Sequence, residues 1–413
     1  MINLALLRDD PGHFKTLIKK KDPSFDVDRL ITFDVKLRAI RNEVELLRYQ
    51  KNDLADQGKS GITEELREQS IRIGKMIKVK DIELADVQKT FDGLYLSCPN
   101  IPFDDVPSGG KEDNVVVKVV GEKPQFDFSI KNHVELGTTL GWFDFEAGAK
   151  IAGSQFVLYK DIGAKVIYAL TMLMLKNNLK HGYQMMLPPC MTNELSLLVA
   201  SNFPKFRDQV YEICEDNLFL SPTAEVTLTN MYRNHIFGDD ILPVRMTAGT
   251  SCFRREAGGY GATERGLIRI HQFEKVEIYT FCEPEQAHTE QDRMIACAEE
   301  ILQKLNLHYR ISLLAAQDCS FASAKTYDIE VWLPGQQAYY EVSSSSNCTD
   351  FQARRGSIRY KKSTMRKPEF VYTLNTSSLA VPRLMVALME TYQQADGSIC
   401  LPEVLNIKGL FDE

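Results

Sequence analysis

The 413-residue sequence predicts an α+β protein: an N-terminal antiparallel helical hairpin, then a mainly antiparallel β-sheet flanked by helices. Three observations lead there. Apolar residues recur three and four apart in two successive N-terminal runs, the pattern of two long packed helices. Beyond residue 110, strand-like runs alternate irregularly with a few helical ones, unlike a regular βαβ array. No GxGxxG follows a strand and no GxxxxGK[ST] occurs, so the phosphate loops of parallel-sheet nucleotide folds are missing.

The stretch up to about Ser24 reads as a short helix, with Leu4, Leu7, Phe14, Leu17 and Ile18 apolar. Leu30, Phe33, Leu37, Ile40, Val44, Leu47 and Leu54 then form an a/d seam interrupted by Lys51. Gln57-Gly58-Lys59-Ser60-Gly61 breaks it. Leu66, Ile73, Met76, Lys80, Leu84, Val87, Phe91 and Leu94 carry a second run. Two such helices joined by a tight turn make an αα-hairpin. Some thirty helical residues span about 45 Å, long enough to project as an arm. On the residues alone, two helices of a bundle or a dimerising coiled coil suit the pattern equally. Its basic residues are balanced by acids, as on a solvated face. The local run holding Lys75, Lys78 and Lys80 also suits phosphate contact.

Pro99 to Gly110, with three prolines and two glycines, reads as a linker, placing a domain boundary at 108/109. Val115–Val120 and Phe126–Phe128 read as strands. Residues 162–180 form a strongly apolar helix leading into a strand, Tyr183 to Leu187, closed by Pro188-Pro189. Later helices fall near 285–306 and 379–394.

Composition narrows the class. With 44% hydrophobic and 25% charged residues the chain is an ordinary globular protein. No run of eighteen apolar residues exists, so no membrane span is expected. The start, MINLALLRDDPGHF, lacks a basic n-region and makes a poor signal peptide. Nine cysteines without a CxxC pair favour reduced thiols and a cytoplasmic location. Seven histidines show no HExxH, so no protein-ligated zinc is expected. A net charge of -7 argues against a general nucleic-acid coat but leaves room for a specific RNA partner.

The chemistry concentrates between Cys252 and Glu277, CFRREAGGYGATERGLIRIHQFEKVE. Arg254, Arg255, Arg265, Arg269 and Lys275 stand among Glu256, Glu264, Glu274 and Glu277. Apolar ends flank a Gly-rich centre, which reads as two antiparallel strands joined by a long, mobile loop. A plain hairpin needs only two to five connecting residues. A longer cationic loop suggests a polyanion to close over. An arginine on a strand can hold phosphate or carboxylate bidentately. This FRxE–loop–strand pattern resembles motif 2 of the class II aminoacyl-tRNA synthetases, and the wording HQFEKVE resembles the seryl-tRNA synthetases in particular.

Three further segments extend the resemblance. In Ser221-Pro222-Thr223-Ala224-Glu225, a Thr–x–Glu on a strand or tight turn points a hydroxyl and a carboxylate to one side, suiting an ammonium group. Alone the triplet is common on surfaces; PTAEV resembles the family's amino-acid-binding TxE. In Tyr327 to Arg355, alternation marks a strand at Ile329, Val331 and Leu333 and another at Tyr339 to Val342, ending in four serines. Glu341 and Ser344 could ligate a hard divalent cation with phosphate, although in isolation a Ser-rich loop explains the stretch. In Leu374 to Leu405 a strand feeds a helix whose N-terminus offers an anion site. Arg383 there suits either a phosphate contact or a capping salt bridge. This last stretch resembles motif 3, but Thr376, Ser378 and Pro382 stand where the family usually has glycine, which puts the local backbone geometry in question. The helix at 162–181 and the strand before Pro189 resemble motif 1, which implies a homodimer; a buried core helix fits the same residues.

The resemblance implies activation of L-serine with ATP and Mg2+, then transfer of serine to tRNA(Ser). It implies that Arg254 bridges the serine carboxylate and the α-phosphate, that Glu256 reads the adenine amino group and that Phe273 stacks on the ring. Arg255, Val342 and Ser343 join the ATP set. Arg383 holds the terminal phosphates, and Glu341 and Ser344 hold magnesium. Thr223 and Glu225 take the serine ammonium, with Glu277 and Ser377 near its hydroxyl. A non-catalytic paralogue would have lost Arg254, Arg383, Glu341 and Glu277, all of which are present. A ligase for a carrier protein would have little use for the helical arm. A threonine or proline enzyme is disfavoured by HQFEKVE and PTAEV.

Overall fold

The computed structural model describes residues 1–59, 61–256 and 266–411. The chain separates into two units, Met1–Pro99 and Asn100–Glu413.

The first unit is helical: α1 (Leu4–Asp9), α2 (Pro11–Lys21), α3 (Val27–Gly58) and α4 (Glu64–Ser97). Two helices form where the sequence suggested one. Asp10 caps α2 by accepting from the His13 N–H at 3.0 Å, and Pro11 fits a first turn but cannot continue the helix before it. Along α3 and α4 the seam buries Leu30, Leu37, Ile40, Val44, Val87 and Phe91. Two positions differ from the expected heptad. Asp34 rather than Phe33 is buried, which its ion pairs with Arg8 (2.6 Å) and Arg38 (3.1 Å) make tolerable. Met76 is 46% exposed, and Ile77 takes the inward place, so Ile73, Ile77, Lys80, Leu84, Val87 and Phe91 follow a regular four–three spacing. Nearer the turn, charged pairs cross between the helices: Arg48 to Asp81 at 3.0 Å and Lys80 to Glu43 at 2.7 Å. Such exposed pairs are screened by solvent and add little to stability.

The second unit is built on one eight-stranded sheet. Its strands are β1 (Val115–Val120), β2 (Gln184–Met185), β3 (Val244–Phe253), β4 (Gln272–Cys282), β5 (Tyr309–Leu313), β6 (Lys325–Leu333), β7 (Ala338–Asn347) and β8 (Tyr372–Ala380). Their order is β1-β5-β6-β7-β8-β4-β3-β2. Every pairing is antiparallel except that of β2 with β3. Helices α5 (Ile162–Lys180), α7 (Ala287–Lys304) and α8 (Val381–Thr391) bury Leu170, Met174, Ile301, Leu302 and Met385 in one cluster with Val276, Ile329 and Val331 of the sheet. A short helix, α6 (Ala224–Asn230), belongs to a separate cluster with Tyr279 and Phe281 of β4.

Asn100 fastens the Pro-rich stretch to this unit: its amide donates to the carbonyls of Ala322 and Cys348 at 2.8 and 2.9 Å. Phe126–Phe128 is not a strand. Pro124 just ahead has no N–H to give a ladder, no strand neighbours the segment, and the two rings meet each other edge-on at 5.4 Å. The strand expected at Tyr183 to Leu187 shrinks to β2, with Pro188-Pro189 unable to extend it. The serines Ser343 to Ser346 continue β7 rather than form a loop. Among the described residues no helix is long and apolar enough to cross a membrane.

Candidate active site

Strand geometry gathers the predicted residues. Phe273, Lys275 and Glu277 alternate along β4 and so leave the same face. The antiparallel register sets Glu277 opposite Ser377 on β8 and Ala248 on β3. Phe253 pairs with Gln272, so Arg254 and Glu256 emerge at the mouth of the β3–β4 hairpin. A cavity of about 90 Å³ opens there, lined by Arg254, Glu256, Arg269, Phe273, Lys275, Glu341, Val342, Ser377 and Arg383 among others. A wider one of about 570 Å³ shares Arg254, Glu256, Arg269, Glu341 and Arg383 with it and adds Lys111, Asp328, Glu330 and Ser344.

Arg254 lies with its guanidinium 5.3 Å from the Phe273 ring centre, and its Nε donates to the Pro222 carbonyl at 3.3 Å. That leaves the rest of the fork for an anion, above an aromatic surface wide enough to stack a base. Glu256 adopts a positive φ of 49°, rare for a residue with a side chain, and accepts from Arg269 Nε at 2.7 Å. This pair joins the two feet of the hairpin loop. The Gly-rich loop itself, residues 257–265 with Glu264 and Arg265, lies outside the described residues.

Beneath the cavity floor is a layer of buried polar groups. Thr223 caps α6, accepting from the Glu225 N–H at 3.2 Å. The TxE triplet is therefore a helix start and not the strand or turn its spacing suggested. The Thr223 hydroxyl also donates to Glu277 Oε2 at 3.0 Å, and Lys275 Nζ reaches the same oxygen at 2.5 Å. Glu277 is 1% exposed. Glu225 accepts from the amides of Gln352 (2.6 Å) and Asn375 (3.1 Å), both at Oε1. Burial, and then the charge of Glu277, push the Glu225 carboxyl up to about 7, against the pull of Gln352, Lys275 and Arg254. Such a group holds a cation strongly once ionised and poorly when protonated.

On the other side of the cavity Arg383, in the first turn of α8, donates from Nη1 to the Glu341 carbonyl at 2.8 Å and sits 3.4 Å from its carboxylate. Ser344 and Asp328 face each other across β7 and β6. Burial and the Glu341 charge hold the Asp328 carboxyl well above the usual carboxylate range, and its Oδ1 is buried with no hydrogen-bond partner. An orphaned carboxylate oxygen beside Glu341 and Ser344 fits a hard cation that brings its remaining ligands as phosphate and water. Among the described residues no three acidic, His or Cys side chains close into a cage of their own.

Two expected residues stay outside both the cavities and the buried layer. Arg255 is exposed, its guanidinium 5.6 Å from the Tyr211 ring, because successive residues turn to opposite sides. Ser343 is buried and donates to the Ser377 carbonyl at 2.5 Å, joining β7 to β8. Thr376 and Ser378 also turn from the site: their hydroxyls bond Ser345 Oγ at 2.8 Å and Asn178 Oδ1 at 2.9 Å, while Ser377 between them lines the cavity. Side chains replace glycine there without filling the cavity. Pro382 sits in the first turn of α8, where its missing N–H costs nothing. Sequence reasoning gave no role to Lys275, Asp328, Gln352 or Asn375. Lys275, two residues ahead of an acid on a strand, carried a readable signal; the other three come from distant segments.

Comparison with known proteins agrees with this geometry. Residues 1–102 match the family model described as the seryl-tRNA synthetase N-terminal domain, and residues 209–392 match the tRNA synthetase class II core domain (G, H, P, S and T). The chain is 43% identical over 413 residues to the serine–tRNA ligase of Syntrophobacter fumaroxidans, covering 98% of this chain and 97% of that protein. It is 44% identical to that of Desulfotalea psychrophila, covering 98% of each. The crystal structure of seryl-tRNA synthetase from Pyrococcus horikoshii complexed with ATP superposes with a TM-score of 0.93 at 32% identity, covering 99% of this chain and 98% of that one. With its helical hairpin, antiparallel sheet and arginine-lined cavity over buried carboxylates, the chain belongs to the seryl-tRNA synthetase family of class II.

Proposed function

We propose that this chain is a serine–tRNA ligase that joins L-serine and ATP into seryl-adenylate, releasing pyrophosphate, and then transfers serine to the 3′ end of tRNA(Ser). The observation that carries the reading is the pairing of a buried acid layer, Thr223, Glu225 and Glu277, with an overlying cavity lined by Arg254, Arg269 and Arg383. The acids suit an ammonium and a hydroxyl; the arginines suit a carboxylate and a triphosphate. In the first step the serine carboxylate attacks the α-phosphorus, so two anions must meet. Catalysis therefore rests on positioning and cationic stabilisation. Arg254 bridges the two reacting groups. Phe273 stacks on adenine, Glu256 reads its amino group, and Arg383 holds the terminal phosphates. Glu225 and Thr223 take the ammonium, while Glu277 and Ser377 address the hydroxyl. Glu341 and Ser344, together with Asp328, would hold Mg2+, which would supply charge neutralisation of the phosphates.

The helical hairpin serves the tRNA, meeting its backbone and shape, since scattered basic residues on a helix pair carry no base-reading device. The protein is a homodimer. Support comes from Leu187, Met185, Met191 and Met231, which are 85, 48, 52 and 47% exposed, and from Tyr168 and Leu179 on α5, 64 and 47% exposed. All nine cysteines stand as free thiols, which supports a reducing, cytoplasmic setting.

ATP–pyrophosphate exchange with each of the twenty amino acids, with and without tRNA, tests the reading. Serine should support exchange. A site built around a hydroxyl rejects analogues lacking it by about 10⁴–10⁵, so alanine should not. Threonine must be turned away by its methyl group, and exchange with threonine at the serine rate would overturn the assignment.

A further inference from the structure

The buried layer under the cavity floor holds two carboxylates, and serine brings one ammonium. Something must decide which carboxylate receives it. Lys275 stands two residues before Glu277 on β4, so both side chains leave one face. Both are buried, at 7% and 1% exposure, with Lys275 Nζ 2.5 Å from Glu277 Oε2. The Thr223 hydroxyl donates to that same oxygen, so Oε1 of Glu277 is left for a further donor. Glu225 differs. Its side-chain donors among the described residues are neutral amides. One carboxylate is thus half of a direct ion pair, and the other, when ionised, has no cation in direct contact among the described residues.

We propose that Lys275 is a specificity-determining residue: by neutralising Glu277 it makes that carboxylate a hydroxyl acceptor and leaves Glu225 as the one seat for the ammonium. This rests on the seryl-adenylate reading of the site. Without Lys275 neither carboxylate would have a cation in direct contact among the described residues. Glu277 would compete for the ammonium and would welcome a cationic side chain in place of the hydroxyl. With Lys275 present, a cationic side chain meets a like charge at contact range and is repelled.

The test compares pyrophosphate exchange with serine and with 2,3-diaminopropionate, which carries an amine where serine has its hydroxyl. Measurements are made on the acid side of neutrality, so that both amines are protonated. In the parent protein serine should be strongly preferred. In Lys275→Met the ratio of kcat/KM for serine over diaminopropionate should fall at least about tenfold, with exchange on diaminopropionate rising in absolute terms. Lys275→Arg should keep the parent ratio. If Lys275→Met does not fold, as judged by its thermal melt, Lys275→Gln takes its place with the same expectation. A parallel loss on both amino acids, ratio unchanged, would show a merely structural lysine and overturn the inference. Failure of the parent to exchange with serine would instead overturn the reading beneath it.

Discussion

Glu225 should make serine recognition depend on pH near neutrality. Its carboxyl is raised to about 7, first by burial and then by Glu277. On the proposed reading the serine ammonium binds the ionised form. With an empty-site pKa near 7, the ionised fraction is about one tenth at pH 6 and about nine tenths at pH 8. The KM for serine should therefore fall about eight- to tenfold between those limits, while the KM for ATP stays level. Stability moves the opposite way. The folded pKa lies above the unfolded one of about 4.5, so the folded state binds the extra proton and the contribution of Glu225 to stability is greatest below pH 4.5. It declines as pH rises from 4.5 to about 7 and is flat beyond, a loss of at most about 3 kcal/mol. Glu225→Gln keeps an acceptor for Gln352 and Asn375 at Oε1. It should raise the KM for serine at every pH, abolish its pH dependence, and make the protein more stable above pH 7. Initial-rate exchange assays from pH 6 to 8 and thermal melts over the same range measure both arms. A serine KM in the parent that is flat across this window would refute the reasoning, because a bare buried carboxylate cannot bind an ammonium without titrating.

Other perturbations separate the remaining parts. Arg254→Ala should cut adenylate formation by about 10²–10³ in a folded protein; an unchanged single-turnover rate would remove the residue from the transition state. Replacing Lys75 and Lys78 by Gln should flatten the salt dependence of tRNA binding by about one unit of slope per lost phosphate contact. Lys80→Gln should change it little, because that ammonium already pairs with Glu43 and Glu83; filter binding across a salt series reads both. Deleting Arg38 to Lys89 with a short Gly-Ser join should spare serine activation and abolish tRNA charging, and charging at the parent rate would make the hairpin a structural element only. Leu187→Asp should weaken the dimer, read by sedimentation at micromolar concentration, and an active monomeric parent would contradict the dimer.

The sequence disclosed most where local spacing and final geometry obey one rule. The heptads of α3 and α4 did so because burial in a helix pair follows a period the chain displays openly; the slip from Met76 to Ile77 is one position, within the reach of two adjacent apolar residues. Phe273, Lys275 and Glu277 did so because strand alternation fixes their common side. Legibility ended where contacts are long-range. Gln352 and Asn375 meet at one Glu225 oxygen from segments more than a hundred residues away, and neither sits in a spacing that announces it. Asp328 stands opposite Ser344 on β7, and Glu341 acts on it from across a register shift that pairs Glu341 with Glu330, so its place in the site depends on a β6–β7 register that no local spacing displays.

The same distinction explains how the site tolerates its acids. Two carboxylates and a buried lysine in one layer would be a fault in an ordinary core, since each uncompensated charge there is costly. Here the imbalance is distributed. Glu277 is compensated internally by Lys275 and Thr223, whereas the side-chain donors to Glu225 among the described residues are neutral and it bears its burial as a raised pKa. On the proposed reading the missing charge is the one serine brings. Binding then relieves a penalty that folding left in place, so recognition of the ammonium draws on electrostatic energy already stored in the empty site. An amino acid without a free ammonium cannot release it, and this selects for an α-amino acid before the hydroxyl is read at all.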